Sequence, residues 1–243
     1  MAASRDMDDE LGEAIAAFKS GRPVMIYDSD YREMETDLLW HAAAATPEVI
    51  RRLRNDCGGL LFLAIGNEIG EMFGLPWLQD IHSHESLVEE NPVLGHLVTN
   101  DLQYDSRSAF TLSLNHRETY TGITDRDRSL TTRRFGELSG ELIEKDQDAL
   151  RAIERLGKEF RTPGHIPVCR ESPGGLKTRQ GHTELAVSIA RLAGLTACTI
   201  GAEMLEPEGD GALSLEGARA YANKHEIPMI TGEQISTIFN EKD

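Results

Sequence analysis

Apolar residues near the start of the chain recur at helical spacing. Leu11, Ile15 and Phe18 share one face and Gly21 follows as a stop, so a helix is predicted over Asp8 to Ser20. Pro23 to Tyr27 is a short apolar run of strand type. A very polar segment, Asp28 to Asp37, interrupts the pattern, and Leu38 to Ala45 reads equally as strand or helix. Thr46-Pro47 opens a helix to about Asp56, because Thr can cap it and Pro suits its first position. Gly58-Gly59 breaks that helix, and Leu60 to Ile65 reads as a buried strand. From Gly66 to Pro92 no period holds. The stretch is rich in Gly and acids and carries His82 and His84, so an irregular surface excursion with room for a short helix is expected.

Beyond it, Ala109 to His116 alternates like a strand, Thr124 to Gly136 follows an Asp-rich turn as a helix, and Asp148 to Lys158 is amphipathic. His165 to Arg170 is strand-like, and a loop runs from Gly174-Gly175 to Gly181-His182. Thr183 to Ala193 puts Ala186, Ile189, Ala190 and Ala193 on one helical face, and Gly194 stops it. Ala197 to Leu205 is a strand, Glu206 to Gly211 a turn, Leu215 to His225 a helix and Ile227 to Ile230 a strand, after which Thr231 caps a last helix. Helices and strands mix without strict alternation, which favours a layered α+β or mixed-sheet α/β arrangement. The expectation is α+β: a single layered domain over residues 1–243, a mixed β-sheet flanked by helices, with the excursion at about 66–92. There is no internal repeat, low-complexity tract or linker.

Composition narrows the function classes. With 40% hydrophobic and 27% charged residues, the chain is ordinary for a soluble protein, and with 6% aromatic its core should be aliphatic. A net charge of -16 argues against a general nucleic-acid binder or a membrane-surface protein, which need basic faces. It leaves room for a phosphate held by a few converging cations and backbone N–H groups. Cys57, Cys169 and Cys198 are widely spaced with no CxxC pair, so a reducing cytoplasm is the expected setting. Met1 to Asp9 has no signal-peptide core, and no apolar run approaches the roughly 18 residues of a membrane span.

Five constellations could carry chemistry. The first is the segment containing Asp28, Asp30, Arg32, Glu33, Glu35 and Asp37, just after an apolar strand. Carboxylates this dense repel one another unless a cation sits among them, and Mg2+ or Mn2+ suits oxygen ligands. The alternative is a solvated acidic loop. The second is Arg179-Gln180-Gly181-His182-Thr183-Glu184, where a Gly-rich loop enters a helix. Unpaired N–H groups, Arg179 and the Thr183 hydroxyl suit a phosphate, and His182 can ligate a metal; the alternative is plain capping. The third is His165 at the head of an apolar strand, structural or catalytic. The fourth is Glu203 within an apolar strand, either an acid–base with a raised pKa or an edge or salt-bridged residue. The fifth, Thr121 to Arg128, is either a polar cap or a source of Thr and Arg for a phosphate. His82 and His84 are expected to be solvent-exposed, and the cysteines have no assigned role. No Walker loop, dinucleotide fingerprint, HExxH or nucleophile elbow is present. Carboxylates, two histidines, an arginine and a helix start make the inventory of metal-assisted proton transfer.

The order of these motifs resembles the 3,4-dihydroxy-2-butanone 4-phosphate synthase family over about Gly21 to Leu205. Asp28 to Asp37 is similar to its D-x-x-x-R-E-x-E-x-D loop, in a Glu35-Thr36-Asp37 form like that of archaeal members. Thr121-Gly122-Ile123 with Asp127-Arg128, then Pro163-Gly164-His165, Gly174-Gly175-Leu176, Arg179-x-Gly181-His182-Thr183-Glu184 and Glu203, follow in the family's order. The resemblance implies conversion of D-ribulose 5-phosphate to 3,4-dihydroxy-2-butanone 4-phosphate and formate in riboflavin biosynthesis. It implies Mg2+ or Mn2+ on Glu33 and His182, and phosphate on Arg179, Gly181 and Thr183. Arg32, Asp37 and Thr121 would contact substrate, and His165, Glu203, Asp28 and Glu35 would be acid–base or orienting groups. It also implies a homodimer sharing residues across its interface. A stand-alone enzyme is expected, since nothing resembles a fused GTP cyclohydrolase II. Phe62 stands where the family often has Cys, at the end of its G-L-I-C strand, which bears on pocket shape. The competing readings are a non-catalytic sugar-phosphate or nucleotide-binding module on the same scaffold, and another metal-dependent sugar-phosphate isomerase or aldolase.

Overall fold

The computed structural model describes residues 2–98, 101–145 and 148–241. The first half of the chain forms α1 (Ala2–Lys19), β1 (Val24–Tyr27), β2 (Thr36–His41), α2 (Pro47–Asp56) and β3 (Phe62–Ile65). Four short helices follow, α3 (Asn67–Met72), α4 (Leu78–His82), α5 (Glu85–Glu90) and α6 (Val93–His96). Then come β4 (Phe110–His116), α7 (Asp125–Glu144), α8 (Ala149–Glu159), β5 (Phe160–Arg170), α9 (His182–Leu192), β6 (Cys198–Glu203), α10 (Leu215–His225), β7 (Met229–Thr231) and α11 (Gly232–Glu241).

The strands make one seven-stranded sheet in the order β4-β5-β3-β6-β2-β1-β7. β1 runs parallel to β7 and β3 parallel to β5, while the other pairs are antiparallel, so the sheet is mixed and the class α+β. Every residue of β1 and β3 is buried, as their uninterrupted apolar runs require of strands covered on both faces. Helices α1, α9 and α11 pack together, with α9 against β2, β3 and β6. The Thr199 hydroxyl donates to the Ala186 carbonyl of α9. A strand alternates its faces, so Glu203 shares that α9 side of β6. Among the described residues no helix is long and apolar enough to cross a membrane.

The ambiguous run Leu38 to Ala45 divides: β2 ends at His41, and a 3-10 turn, Ala42–Ala44, follows. Partners on both sides, β1 and β6, decide it. They also draw Thr36 and Asp37 out of the acidic loop and into a strand. α7 runs to Glu144, past Gly136, because Phe135, Leu138 and Leu142 continue its buried face. Gly136 is a close crossing and not a stop, since a Cβ there would lie 2.8 Å from the Ala43 backbone nitrogen. β5 starts earlier than its apolar pattern. Its first half has β4 on one side and no β3 register on the other, so Pro163 forfeits no ladder bond there.

The 66–92 stretch corrects the expectation of an irregular surface excursion. It is largely helical, and its first part belongs to the core through Ile69, Phe73 and Leu75. Trp77 then lies between two guanidinium groups, Arg107 at 4.0 Å and Arg170 at 4.1 Å from its ring centre. Only the later turns α4 to α6 bury none of their residues, and His82 and His84 are exposed as expected.

The loop leading to α9 is pinned by a buried carboxylate. Glu171, 3% exposed, accepts two bonds of 2.6 Å from Arg191, which also reaches Glu68 at 2.7 Å. Arg191→Ala strands that carboxylate and should cost about 3 kcal/mol, the low end for breaking a buried pair because Arg191 is itself part-exposed. Urea denaturation checks this; a loss under ~1 kcal/mol would mean the pair behaves as a surface salt bridge.

Candidate active site

The loop between β1 and β2 is organised by one of its own acids. Asp28, 3% exposed, accepts the backbone N–H of Glu33 through Oδ2 and of Glu35 through Oδ1, each at 2.9 Å. Met34, between them, takes a left-handed φ of 56°, which lets both N–H groups turn inward. The Glu33 and Glu35 side chains thereby project toward the start of α9.

There they meet His182. Its Nδ1 lies 2.8 Å from Asp37 Oδ2, and its Nε2 is 3.8 Å from both Glu33 Oε2 and Glu35 Oε2. Nε2 is buried without a hydrogen-bond partner. Asp37 is opposite Glu203 in the β2–β6 register, so two carboxylates are neighbours on one face. Glu203 Oε2 accepts the Leu60 N–H at 2.7 Å. That approach needs Gly59, because a Cβ there would come within 2.6 Å of the same oxygen and 2.5 Å of the Glu203 carbonyl.

The acids are split by their surroundings. Burial works to raise Glu33, but His182 and Arg32 outweigh it and hold it low. Burial and the neighbouring carboxylates push Glu35 up. Glu203 is pushed up to about 7 by burial, with Asp37 adding to it. His182 is held up to about 10: burial works against its charge, and the Asp37 carboxylate, with Asp28 and Glu33, prevails.

Arg179 folds back over Gly181 and binds Glu184, which is fully buried, at 2.5 Å. The caps of α2, α7, α8 and α10 are closed by the side chains of Thr46, Thr124, Asp148 and Ser214, whereas Gly181 at the start of α9 offers none. The first N–H groups of α9 therefore point, without a side-chain acceptor from their cap, into the region lined by Thr183, Arg179 and His182. A pocket of about 290 Å3 lies here, over Glu33, Glu35, His182, Thr183 and Glu203. Phe62, Phe110 and Cys169 give it an apolar wall.

Two expected residues lie elsewhere. Thr121 and His165 are exposed and do not line this pocket. They belong to a second cluster, where Asp127 accepts the N–H groups of Thr121 and Gly122 at 3.1 and 2.8 Å, and Gly122 packs against Asn115 and the His165 ring. Asn115 Oδ1 accepts the His165 N–H at 2.8 Å. Arg128 belongs to a separate group, reaching Asp125 at 3.2 Å. Asp28 is engaged through both oxygens by backbone N–H groups, and Asp37 faces His182. Three contributors went unread in the sequence. Glu184 stood in a motif without a role, Asn115 sits near the end of β4, and Asp105 lies in a polar stretch with no pattern.

The donor set suits a hard divalent cation. One oxygen each of Asp28 and Glu33 and one nitrogen of His182 lie within 4.8 Å of one another, and the unpartnered Nε2 could ligate a cation once it gives up its proton to the entering metal.

Comparison with known proteins places nearly the whole chain in a family. The family model for 3,4-dihydroxy-2-butanone 4-phosphate synthase matches residues 12–238. The synthase of that name from Methanothermobacter thermautotrophicus is 38% identical over 231 residues, covering 95% of this chain and 96% of that one. The one from Archaeoglobus fulgidus is 40% identical over 229 residues, covering 93% and 92%. Among solved structures, the Candida albicans synthase superposes with a TM-score of 0.69 at 27% identity, covering 94% of this chain and 96% of that one. A synthase described in complex with two magnesium ions gives a TM-score of 0.70 at 24% identity, covering 95% and 96%, a likeness of fold. From fold, motif order and full-length similarity together, the chain belongs to the 3,4-dihydroxy-2-butanone 4-phosphate synthase family.

Proposed function

We propose that this chain is a lyase of riboflavin biosynthesis that converts D-ribulose 5-phosphate to 3,4-dihydroxy-2-butanone 4-phosphate and formate, working as one catalytic domain in the cytoplasm. The observation that carries the reading is the meeting of Glu33 and His182 beside carboxylates of split acidity, next to an open helix start. Its three buried free cysteines suit a reducing compartment.

Glu33 and His182 would hold Mg2+ or Mn2+, with Asp28 close by. The cation would stabilise charge developing on adjacent sugar oxygens. Arg179, the N–H groups after Gly181 and the Thr183 hydroxyl would bind the phosphate, with Arg32 on the opposite side. Asp37 holds the His182 ring through Nδ1, and would keep the remaining proton there when Nε2 ligates, as acids behind ligating histidines do. Glu203, pushed up to about 7, is the group able to carry a proton near neutral pH, as enediol formation, dehydration and formate loss require, and Glu35, also raised by burial, stands beside it. The apolar wall limits water around them. His165 and Thr121 would serve a second copy's pocket in a homodimer. Their exposure, beside Tyr120 at 94% and Ile123 at 52% exposed, supports that reading.

Formate release decides it. Chelator-treated protein incubated with ribulose 5-phosphate should give no formate, and Mg2+ should restore it. Folded protein that yields none with Mg2+ or Mn2+, across a range of salt, would reject the synthase reading in favour of a binding module or another sugar-phosphate enzyme.

A further inference from the structure

The residues 101–109 form a strap without regular secondary structure that crosses the site between α6 and β4. Its central contact is one oxygen. Asp105 Oδ2 lies 3.1 Å from Arg32 Nη2 and 2.8 Å from Arg179 Nη2, so a single carboxylate bridges the two guanidinium groups of the phosphate region. All three side chains are well covered, at 15%, 13% and 15% exposure. Tyr104 adds a latch. Its hydroxyl donates to the Arg32 carbonyl at 3.2 Å and the Arg32 guanidinium sits 5.5 Å from its ring centre. Farther along, Arg107 is held on Trp77 and by Asp80 at 3.3 Å, which fixes the strap's far end to the body.

The bridge is also a wall. Asp105 and Arg179 line both the 290 Å3 pocket over Glu33, His182 and Glu203 and a cavity of about 940 Å3 that extends past Tyr27 and Arg32 toward α11. The first space alone falls just below the roughly 300 to 1,000 Å3 typical of ligand sites. Withdrawing Asp105 would join the two.

We propose that Asp105 is a specificity-determining residue, an internal anion that holds the place of the substrate's phosphate on Arg32 and Arg179 and must be displaced by it. The inference rests on the sugar-phosphate reading. A phosphate presents several oxygens to two guanidinium forks and so replaces both charge-assisted bonds at once. A sugar without phosphate has no charge to offer in exchange, and a phosphate entering with Asp105 still in place meets a like charge on a shared partner. The strap thus opens for an anionic ligand and stays latched against a neutral one.

The sign of one measurement separates this role from simple orientation of the arginines. Inorganic phosphate is titrated calorimetrically into the full chain and its Asp105→Asn variant at fixed Mg2+, with thermal midpoints recorded to confirm folding. The variant should bind phosphate about tenfold more tightly, since removing a competitor raises apparent affinity by the fraction of sites it had blocked. Tyr104→Phe, which loosens the latch and keeps the anion, should shift affinity the same way and by less. Equal or weaker phosphate binding by folded Asp105→Asn protein would overturn the inference. Formate release by the unsubstituted protein is scored separately. Activity without tighter phosphate binding in the variant rejects only the role of Asp105, and tighter binding without activity rejects only the synthase reading.

Discussion

His182→Ala should lower formate production from ribulose 5-phosphate about 10³-fold or more and remove its dependence on Mg2+. Glu33→Ala should do the same. His182 contributes a buried nitrogen with no hydrogen-bond partner, and Glu33 a carboxylate kept ionised by His182 and Arg32. The two substitutions differ in their effect on the fold. His182 carries the charge that offsets Asp37, which is 2% exposed and opposite Glu203. Losing it leaves neighbouring buried carboxylates uncompensated, a penalty of about 3 kcal/mol. The double variant His182→Ala with Asp37→Asn should recover most of the thermal midpoint and none of the activity. Recovery of activity together with stability would show that His182 serves the fold alone. Retention of metal-dependent turnover in Glu33→Ala would remove Glu33 from the metal site.

Glu203→Gln should abolish turnover and stabilise the protein. Loss of a positioned acid–base group costs about 10²- to 10⁴-fold in rate. The stability gain follows from the sign of the shift. Glu203 is raised in the fold to about 7 from an ordinary 4.5, so the folded state binds its proton more tightly than the unfolded chain. Its ionisation therefore costs nothing below about pH 4.5, costs progressively more from there to about pH 7, and costs fully above. Gln keeps an oxygen for the Leu60 N–H and carries no charge beside Asp37. The gain at pH 8 should be on the order of 2 kcal/mol, several degrees in thermal midpoint, and should vanish near pH 4. Gly59→Ala pushes on the same carboxylate sterically, and should lose activity and stability together. A Glu203→Gln protein within tenfold of full activity would show that Glu203 moves no proton. A stability difference that does not change with pH would show that its carboxyl is not raised.

The elements that patterning found without error are those whose signals are local. α2 carries Thr46 as cap and Pro47 at its first position, and α10 runs over the expected residues, Leu215–His225. Capping and helical periodicity act within a few residues, so the sequence states them directly. The acidic loop and the α9 start could be marked in the sequence as candidates, beside the alternatives of a solvated loop and plain capping, because crowded carboxylates and a Gly-entered helix each suit a ligand. Motif order then carried the family, and the full-length similarity bears it out.

Tertiary structure decided the rest. Whether Leu38 to Ala45 was strand or helix depended on β1 and β6 coming to either side. Whether Gly66 to Pro92 was surface or core depended on Ile69, Phe73 and Leu75 finding a core to enter. The raised pKa of Glu203 comes first from burial in the folded sheet, and Asp37 adds to it because strand register sets opposite each other two residues far apart in the chain. Asp105 had no sequence signal, since a carboxylate in a polar stretch means nothing until Arg32 and Arg179 arrive beside it. The sequence by itself determined the kinds of group available and the local elements that carry them. Distances between charges, and hence which acid holds a proton and which cation is already occupied, arise only when remote strands and loops are brought together. Electrostatic energies depend on separation and burial, which a linear order of residues does not contain.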